Sequence, residues 1–153
     1  MITDTYTDNT DSLHCIIKTM GRKVDGFLYE KESYAIRGSF FTVYNALGGG
    51  LREKVIERAL TAELIIHGLK VENQKRIEIT YRDKKIGYYV PDLIINDTIL
   101  IEIKSKPFIL MNDLKQFWGH LKGSTYQLGF FVNFGQRKLD IRRFVHTKSA
   151  LSA

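Results

Sequence analysis

The sequence has little of what a membrane-spanning or disulfide-bonded protein requires. It contains one cysteine, Cys15, so no intramolecular disulfide can form and a zinc site built on several cysteines is excluded. No apolar run approaches the roughly 20 residues that a membrane helix needs. The first residues are acidic and polar, without a basic segment ahead of an apolar one, which predicts no secretory signal. We therefore expect a cytoplasmic protein that does not enter a membrane.

What is present is an ordinary globular composition with an excess of basic residues. The chain has 153 residues, about the length of one domain, of which 44% are hydrophobic and 26% are charged. Lysine and arginine outnumber aspartate and glutamate by 23 to 17, giving a formal net charge of +6. A basic excess favours polyanionic partners such as nucleic acid, but it serves solubility equally well. Charge alone leaves both interpretations open.

The spacing of apolar residues predicts three helices. Residues 31–47 carry apolar side chains three and four positions apart, and three consecutive glycines end that helix. Further helices are predicted at residues 51–67 and 110–122. For the second helix the sequence predicts one buried stripe, formed by Leu51, Val55, Ala59, Ala62 and Ile66.

Alternation of apolar and polar residues predicts the strands. Residues 77–81, 86–95 and 98–104 follow this period and would form a three-stranded antiparallel meander. Two more strands are predicted at residues 126–133 and 139–145. The resulting order is α-α-β-β-β-α-β-β, without an internal repeat. It predicts an α+β fold, with helices packed around one mixed sheet.

Two acids and a lysine have spacings that would place them together on neighbouring strands. Glu102 and Lys104 share one face of the predicted third strand, and the isoleucines of that strand take the other face. A three-residue loop at residues 96–98 would set Asp92 opposite Glu102, with the side chains about 5 Å apart. A two-residue turn would instead send the two carboxylates to opposite faces of the sheet. The sequence leaves both registers open.

A divalent cation would relieve the repulsion between two adjacent carboxylates. Mg²⁺ or Mn²⁺ would suit such a site, because both accept carboxylate and carbonyl oxygens as ligands. Lys104 could then assist an attacking water and offset charge on a phosphate. On spacing alone, the commoner arrangement is a surface pair of Glu102 and Lys104 with Asp92 as a turn cap, because short motifs match by chance.

The succession of motifs along the chain resembles a known family. Pro91-Asp92 followed by Glu102-Ile103-Lys104, behind a β-hairpin and ahead of a helix, resembles the PD-(D/E)XK nuclease superfamily, and most closely its small GxxExxY-type members. The resemblance spans residues 28–145 and includes further segments: LYE at 28–30, SY at 33–34, GLRE at 50–53, AL at 59–60, EL at 63–64, GLKV at 68–71, Gln116 and VNFG at 132–135. An ordered succession of this length is far more specific than the short pattern alone.

This resemblance implies a restriction-endonuclease-like α/β/α sandwich and a metal-dependent nuclease acting on DNA rather than RNA. The metal-binding positions that it implies for Mg²⁺ or Mn²⁺ are Glu53, Asp92, Glu102 and the carbonyl of Ile103. Lys104 matches the catalytic lysine, and Gln116 would orient the attacking water or the phosphate. Glu53 also lies in the first turn of its helix, where the helix dipole favours an acid, so a purely structural role is also open.

Other positions are expected to contact the nucleic acid. His120 lies one turn after Gln116, which resembles a QxxxY motif with His in place of Tyr, and a phosphate contact or a plain exposed residue is equally open. Arg137, Lys138, Arg142 and Arg143 form a basic cluster around the last hairpin. Arg142 and Arg143 must face opposite ways on a strand, so only part of the cluster can make one surface, and we expect phosphate contacts from Arg137, Lys138 and Arg142.

The chain departs from the family pattern in two places. Ile56 stands where the GxxExxY motif usually has Tyr, and residues 1–27 have no recognised counterpart. We expect residues 1–27 to be a partly flexible extension and residues 28–150 to form a single nuclease-like domain. A homodimer or a partner protein could add specificity. The alternative function is a non-catalytic nucleic-acid-binding or interaction module that keeps the nuclease scaffold.

Overall fold

In the computed structural model, residues 28–147 are described, and they begin with two consecutive helices. Helix α1 spans Glu30–Leu47 and buries Ile36, Phe40 and Val43, as its apolar spacing predicts. Gly48 follows with a positive φ of 73°, which ends the helix at the first of the three glycines. The predicted extension at residues 1–27, and residues 148–150 of the predicted domain, lie outside the described part of the chain.

Helix α2, at Glu53–Ile66, buries a different stripe from the predicted one. Its buried residues are Ile56, Glu57, Leu60 and Leu64, whereas Leu51, Val55 and Ile66 are exposed, Ile66 by 75%. The sequence contains two neighbouring stripes at helical spacing, and the apolar pattern does not distinguish them. Packing against the sheet selects the stripe of Ile56, Leu60 and Leu64, so the predicted stripe is wrong.

Seven strands and a third helix make up the rest of the described residues. The elements in chain order are β1 (Val71–Asn73), β2 (Ile77–Tyr81), β3 (Lys84–Tyr89), β4 (Leu93–Ile95), β5 (Ile99–Lys104), α3 (Met111–Gly123), β6 (Leu128–Phe134) and β7 (Leu139–Val145). Five strands form one mixed sheet in the order β1-β4-β5-β6-β7. Among the strands of residues 28–147, only β5 and β6 pair in parallel, and α3 connects them.

The predicted three-stranded meander is divided between two sheets. β2 and β3 pair only with each other as a separate antiparallel hairpin, whereas β4 and β5 belong to the main sheet. Pro91 lies between β3 and β4, and proline cannot donate the hydrogen bond that a continuous strand needs. The division at Pro91 gives four strands, and the unpredicted β1, which pairs with β4, makes five short strands before α3 rather than three.

The helices cover both faces of the main sheet, which confirms the predicted α+β sandwich. On the α1/α2 face, the two helices pack against Ile99, Ile101 and Ile103 of β5 and against neighbouring strands. On the α3 face, α3 packs against Leu100, Phe131 and residues of the β2–β3 hairpin. Within residues 28–147, none of the helices combines the length and apolar character that a membrane span requires.

Candidate active site

The loop between β4 and β5 fixes the register that the sequence leaves open. Ile95 pairs with Ile99, which leaves the three-residue loop at residues 96–98. Asn96 and Asp97 adopt positive φ angles of 51° and 57°, a conformation that Asn and Asp tolerate better than most residues. The backbone N–H of Thr98 donates to the Ile95 carbonyl at 2.9 Å and closes the loop.

This register places Asp92 beside Glu102 on the α3 face. Leu93 pairs with Ile101, so Asp92, one residue earlier, comes next to Glu102 at the end of β4. The Oδ2 atom of Asp92 accepts a hydrogen bond from the backbone N–H of Ile103 at 2.7 Å. The Asp92 side chain is thus held at the strand in which Glu102 lies.

Glu102 is mostly buried, and it has an unusually high proton affinity in the absence of a cation. Burial first, and then the charge of Asp92, raise the pKa of the Glu102 carboxyl to about 8. The hydrogen bond from Tyr89 and the charge of Lys104 oppose this increase but do not cancel it. A site of this kind gains most from a cation placed between the two carboxylates.

Tyr89 and His120 form the wall next to Glu102. The Tyr89 hydroxyl donates a hydrogen bond to Oε2 of Glu102, and the Tyr89 ring stacks on the His120 ring with a centroid distance of 4.1 Å. Burial and the neighbouring Glu102 raise the pKa of Tyr89, so the phenol keeps its proton. Burial lowers the pKa of His120. Sequence reasoning missed the contact of Tyr89, although its position two residues ahead of Pro91-Asp92 was the available signal.

A cleft of about 230 Å³ brings four of the predicted site residues together. They are Glu102 and Lys104 from β5, and Gln116 and His120 from α3. The remaining lining residues are Tyr89, Val90, Asp113, Phe117 and Phe131. A carboxylate, an ammonium group, an amide and an imidazole therefore face one small volume, which suits the binding and polarisation of a phosphate.

A further carboxylate, Glu57, is connected to Asp92 through one amide group. Glu57 is 3% exposed and accepts hydrogen bonds from Nδ2 of Asn73 at 3.1 Å and from Nε2 of Gln74 at 3.0 Å. The same Nε2 atom of Gln74 lies 3.1 Å from Oδ1 of Asp92. Sequence reasoning missed Glu57 and Gln74, because the sequence contains no motif that joins residues 17 positions apart.

Glu53, the predicted additional acid, lies elsewhere on α2. It is the first residue of that helix and its side chain is exposed. Between residues 28 and 147, no three His, Cys, Asp or Glu side chains are grouped as a metal site. The structure therefore unites Asp92 with Glu102 but does not add Glu53 to them. A metal-binding role for Glu53 stays a prediction.

The predicted basic cluster is divided by an internal ion pair. Arg142 is directly opposite Phe131 in the sheet, on the face that carries Glu102, and its Nε atom donates to Oδ1 of Asp140 at 2.8 Å. Lys138 lies 3.8 Å from the same carboxylate, and Arg137 is exposed in the loop before β7. Asp140 offsets part of the positive charge of this cluster.

The donor set at the cleft fits a hard divalent cation. Asp92 and Glu102 supply carboxylate oxygens on adjacent strands, and Mg²⁺ commonly uses one or two carboxylates with water and phosphate as further ligands. Burial, and then the charge of Asp92, raise the pKa of Glu102, so a cation beside the two carboxylates would favour the ionised form of Glu102. Binding of Mg²⁺ at this site therefore needs no third acidic side chain.

Comparison with known proteins agrees with this geometry. A model of the PD-(D/E)XK nuclease superfamily matches residues 30–144. The match covers well over half of the chain, so the chain belongs to this superfamily, as its sequence motifs predict, and its sandwich is consistent with a restriction-endonuclease-like fold. Members of the superfamily are generally nucleases that use divalent metal ions. A comparison with curated proteins gives no match.

Proposed function

We propose that this protein is a metal-dependent nuclease that hydrolyses phosphodiester bonds, in DNA rather than RNA, and that it belongs to the GxxExxY-type members of its superfamily. The observation that carries the proposal is that Glu102 and Lys104 line one cleft on the α3 face and that Asp92 lies directly beside Glu102 on the neighbouring strand. Superfamily membership supports the nuclease class, and the net charge of +6 supports a polyanionic substrate.

The metal ligands in this proposal are Asp92, Glu102 and the carbonyl of Ile103, with Mg²⁺ or Mn²⁺ as the cation and Glu53 as a further candidate. A bound cation supplies positive charge that stabilises a phosphate oxygen in the transition state. The hydrogen bond from Ile103 N–H orients Asp92, and the one from Tyr89 orients Glu102. The chain thus fixes both carboxylates before any substrate arrives.

The other residues of the cleft would act on the substrate and the attacking water. The ammonium group of Lys104 would donate a hydrogen bond to the water or to the phosphate and offset negative charge. Gln116 would orient the water or the phosphate, and His120, held against Tyr89, would contact a phosphate. Arg137, Lys138 and Arg142 would contact the nucleic acid farther from the cleft.

A cleavage assay tests this function. Wild-type protein is incubated with labelled single- and double-stranded DNA and RNA in Mg²⁺ or Mn²⁺, beside Lys104→Ala and an EDTA control. Removing one group that stabilises transition-state charge typically lowers the rate by about 10²–10³-fold, and we expect Lys104→Ala to do at least this. Lys115→Ala is the matched control, because Lys115 is an exposed lysine of α3 outside the cleft lining.

Each outcome assigns the function. DNA cleavage that requires metal and Lys104, and that Lys115→Ala retains, supports the nuclease. Cleavage of RNA alone would contradict the substrate that we propose. Cleavage that survives EDTA or Lys104→Ala would contradict the site. If the wild type neither cuts nor binds metal, the protein is instead a non-catalytic module on a nuclease scaffold. Size-exclusion chromatography of the same sample tests for a homodimer.

A further inference from the structure

The β2–β3 hairpin, residues 77–89, exposes large side chains that the proposed chemistry does not use. Tyr81 is 60% exposed and Tyr88 is 55% exposed, and Ile86 is also exposed between them. Strand pairing places Tyr88, opposite Glu78, on one side of the hairpin, and it places Tyr81 on the side of Ile77 and Ile79. Ile77 and Tyr89, on that second side, belong to the core beside α3. Exposed aromatic side chains gathered on one small element indicate a binding surface.

Basic side chains cover the two exposed tyrosines. The guanidinium carbon of Arg76 lies 3.6 Å from the centroid of the Tyr88 ring, and that of Arg82 lies 5.5 Å from the Tyr81 centroid. Lys84 follows at the start of β3, opposite Tyr81. Alternating positive charge and flat rings favour a ligand with phosphates and exposed bases.

The hairpin leads directly into the cleft. Tyr88 points outward, whereas the next residue, Tyr89, contacts Glu102, and Val90 lines the cleft. The hairpin is also fixed to α3, because the Thr80 hydroxyl donates to the Gly123 carbonyl at 3.5 Å. Close packing confirms this contact, since a Cβ atom at Gly123 would lie 2.6 Å from a methyl carbon of Ile79. The exposed surface therefore has a defined position beside the site.

We propose that Tyr88 with Arg76 binds a base and a neighbouring phosphate of a single-stranded DNA segment that leaves the cleft. This inference rests on the proposed function, since it names the form of the substrate at the same site.

Single-stranded DNA fits this surface better than duplex DNA does. In a duplex both faces of each base are already stacked, so they cannot reach Tyr88 or the Arg76 guanidinium, whereas in a single strand they can. The positive charge of Arg76 complements a phosphate next to that base. A protein partner with an acidic surface is the competing occupant, and the test separates the two.

The test measures the binding of labelled oligo-dT, and of a duplex of equal length, by fluorescence anisotropy in EDTA. Omitting the metal separates binding from cleavage. The variants are Tyr88→Ala and Tyr88→Phe, with Tyr34→Ala as the matched control, because Tyr34 is an 83% exposed tyrosine on α1, on the other side of the sheet. We expect Tyr88→Ala to weaken oligo-dT binding at least about fivefold, since stacking contributes roughly 1–3 kcal/mol per base. Tyr88→Phe should bind like the wild type.

The results have distinct meanings. Selective loss of oligo-dT binding in Tyr88→Ala, with duplex binding and the Tyr34→Ala control unchanged, supports the inference. Equal affinities of Tyr88→Ala and Tyr34→Ala for oligo-dT would overturn it, as would wild-type protein that does not bind oligo-dT. If the wild type does not cut in the cleavage assay but Tyr88→Ala still loses oligo-dT binding selectively, the nuclease proposal is contradicted and the single-strand inference is supported.

Discussion

The two faces of the main sheet have opposite characters, although they are built from the same strands. On the α1/α2 face, β5 contributes Ile99, Ile101 and Ile103, all fully buried among other apolar residues. On the α3 face, the same strand contributes Glu102 and Lys104, which line a cleft. Burial of apolar side chains on the α1/α2 face stabilises the fold, and this stability permits a buried carboxylate on the α3 face. The following changes test this division of roles.

The largest expected effect is the loss of a core aromatic ring on the α1/α2 face. Phe130 is fully buried and makes an edge-to-face contact with Phe40 at a centroid distance of 6.0 Å. Phe130→Ala should lower the free energy of unfolding by about 3–5 kcal/mol, measured by urea denaturation. Tyr34→Ala, an exposed aromatic deletion on α1, should change it by less than about 0.5 kcal/mol. Equal costs for the two variants would contradict this assignment of the core.

On the α3 face, the wild type should lose stability relative to Glu102→Gln as the pH rises. The native pKa of Glu102 is about 8, above its ordinary value of 4.5, so the folded protein binds this proton more tightly than the unfolded chain does. The resulting stability is present below about pH 4.5 and is lost as the pH rises through about 8.

In EDTA, the free energy of unfolding of the wild type should therefore fall relative to Glu102→Gln, by up to about 1.4 kcal/mol per pH unit between pH 5 and 8. Urea denaturation at several pH values measures this difference. A difference between the two proteins that stays constant with pH would show that Glu102 is not in this environment.

Glu53 and Glu57, two acids in the first half of α2, should differ in their effect on the site. Glu57 is connected to Asp92 through Gln74, so Glu57→Gln should disturb Asp92 and weaken Mn²⁺ binding by about tenfold, a typical effect of residues that orient metal ligands. Glu53→Gln, an isosteric change at an exposed site on the same helix, is the comparison. Calorimetry that finds the larger loss in Glu53→Gln would identify Glu53 as the additional acid.

The smallest expected effect is the removal of a hydroxyl on the α1/α2 side. Tyr44 donates a hydrogen bond to the Gly135 carbonyl at 2.8 Å and thereby ties α1 to the end of β6. Tyr44→Phe should cost about 0.5–1.5 kcal/mol of stability and leave metal binding unchanged. A change in Mn²⁺ affinity would show that the two faces are coupled more closely than the contacts indicate.

The sequence predicts the polar face of β5 well and the surroundings of that face poorly. Strict alternation places Glu102 and Lys104 on one side, and the family motifs select Asp92 as their partner. The alternation of apolar and polar residues is compatible with both a two-residue turn and a three-residue loop between β4 and β5. The observed register depends on Asn96 and Asp97, both of which adopt positive φ angles.

Long-range contacts explain what the sequence does not reveal. α2 has two candidate stripes, and only the position of the sheet decides that Ile56 is buried and Val55 is exposed. The contact between Gln74 and Glu57 depends on the same packing, so no local pattern indicates it. Pro91 marks the point where one predicted strand divides into β3 and β4, and this signal was present in the sequence but was not used.

The most direct test of a cation site on the α3 face is a calorimetric titration with Mn²⁺. Wild-type protein is compared with Asp92→Asn/Glu102→Gln and with the matched control Glu72→Gln/Asp97→Asn, which neutralises two acids that pair with Lys70. We predict binding by the wild type and the control, and none by the Asp92/Glu102 variant. Equal binding by all three proteins, or no binding by the wild type, would contradict the account.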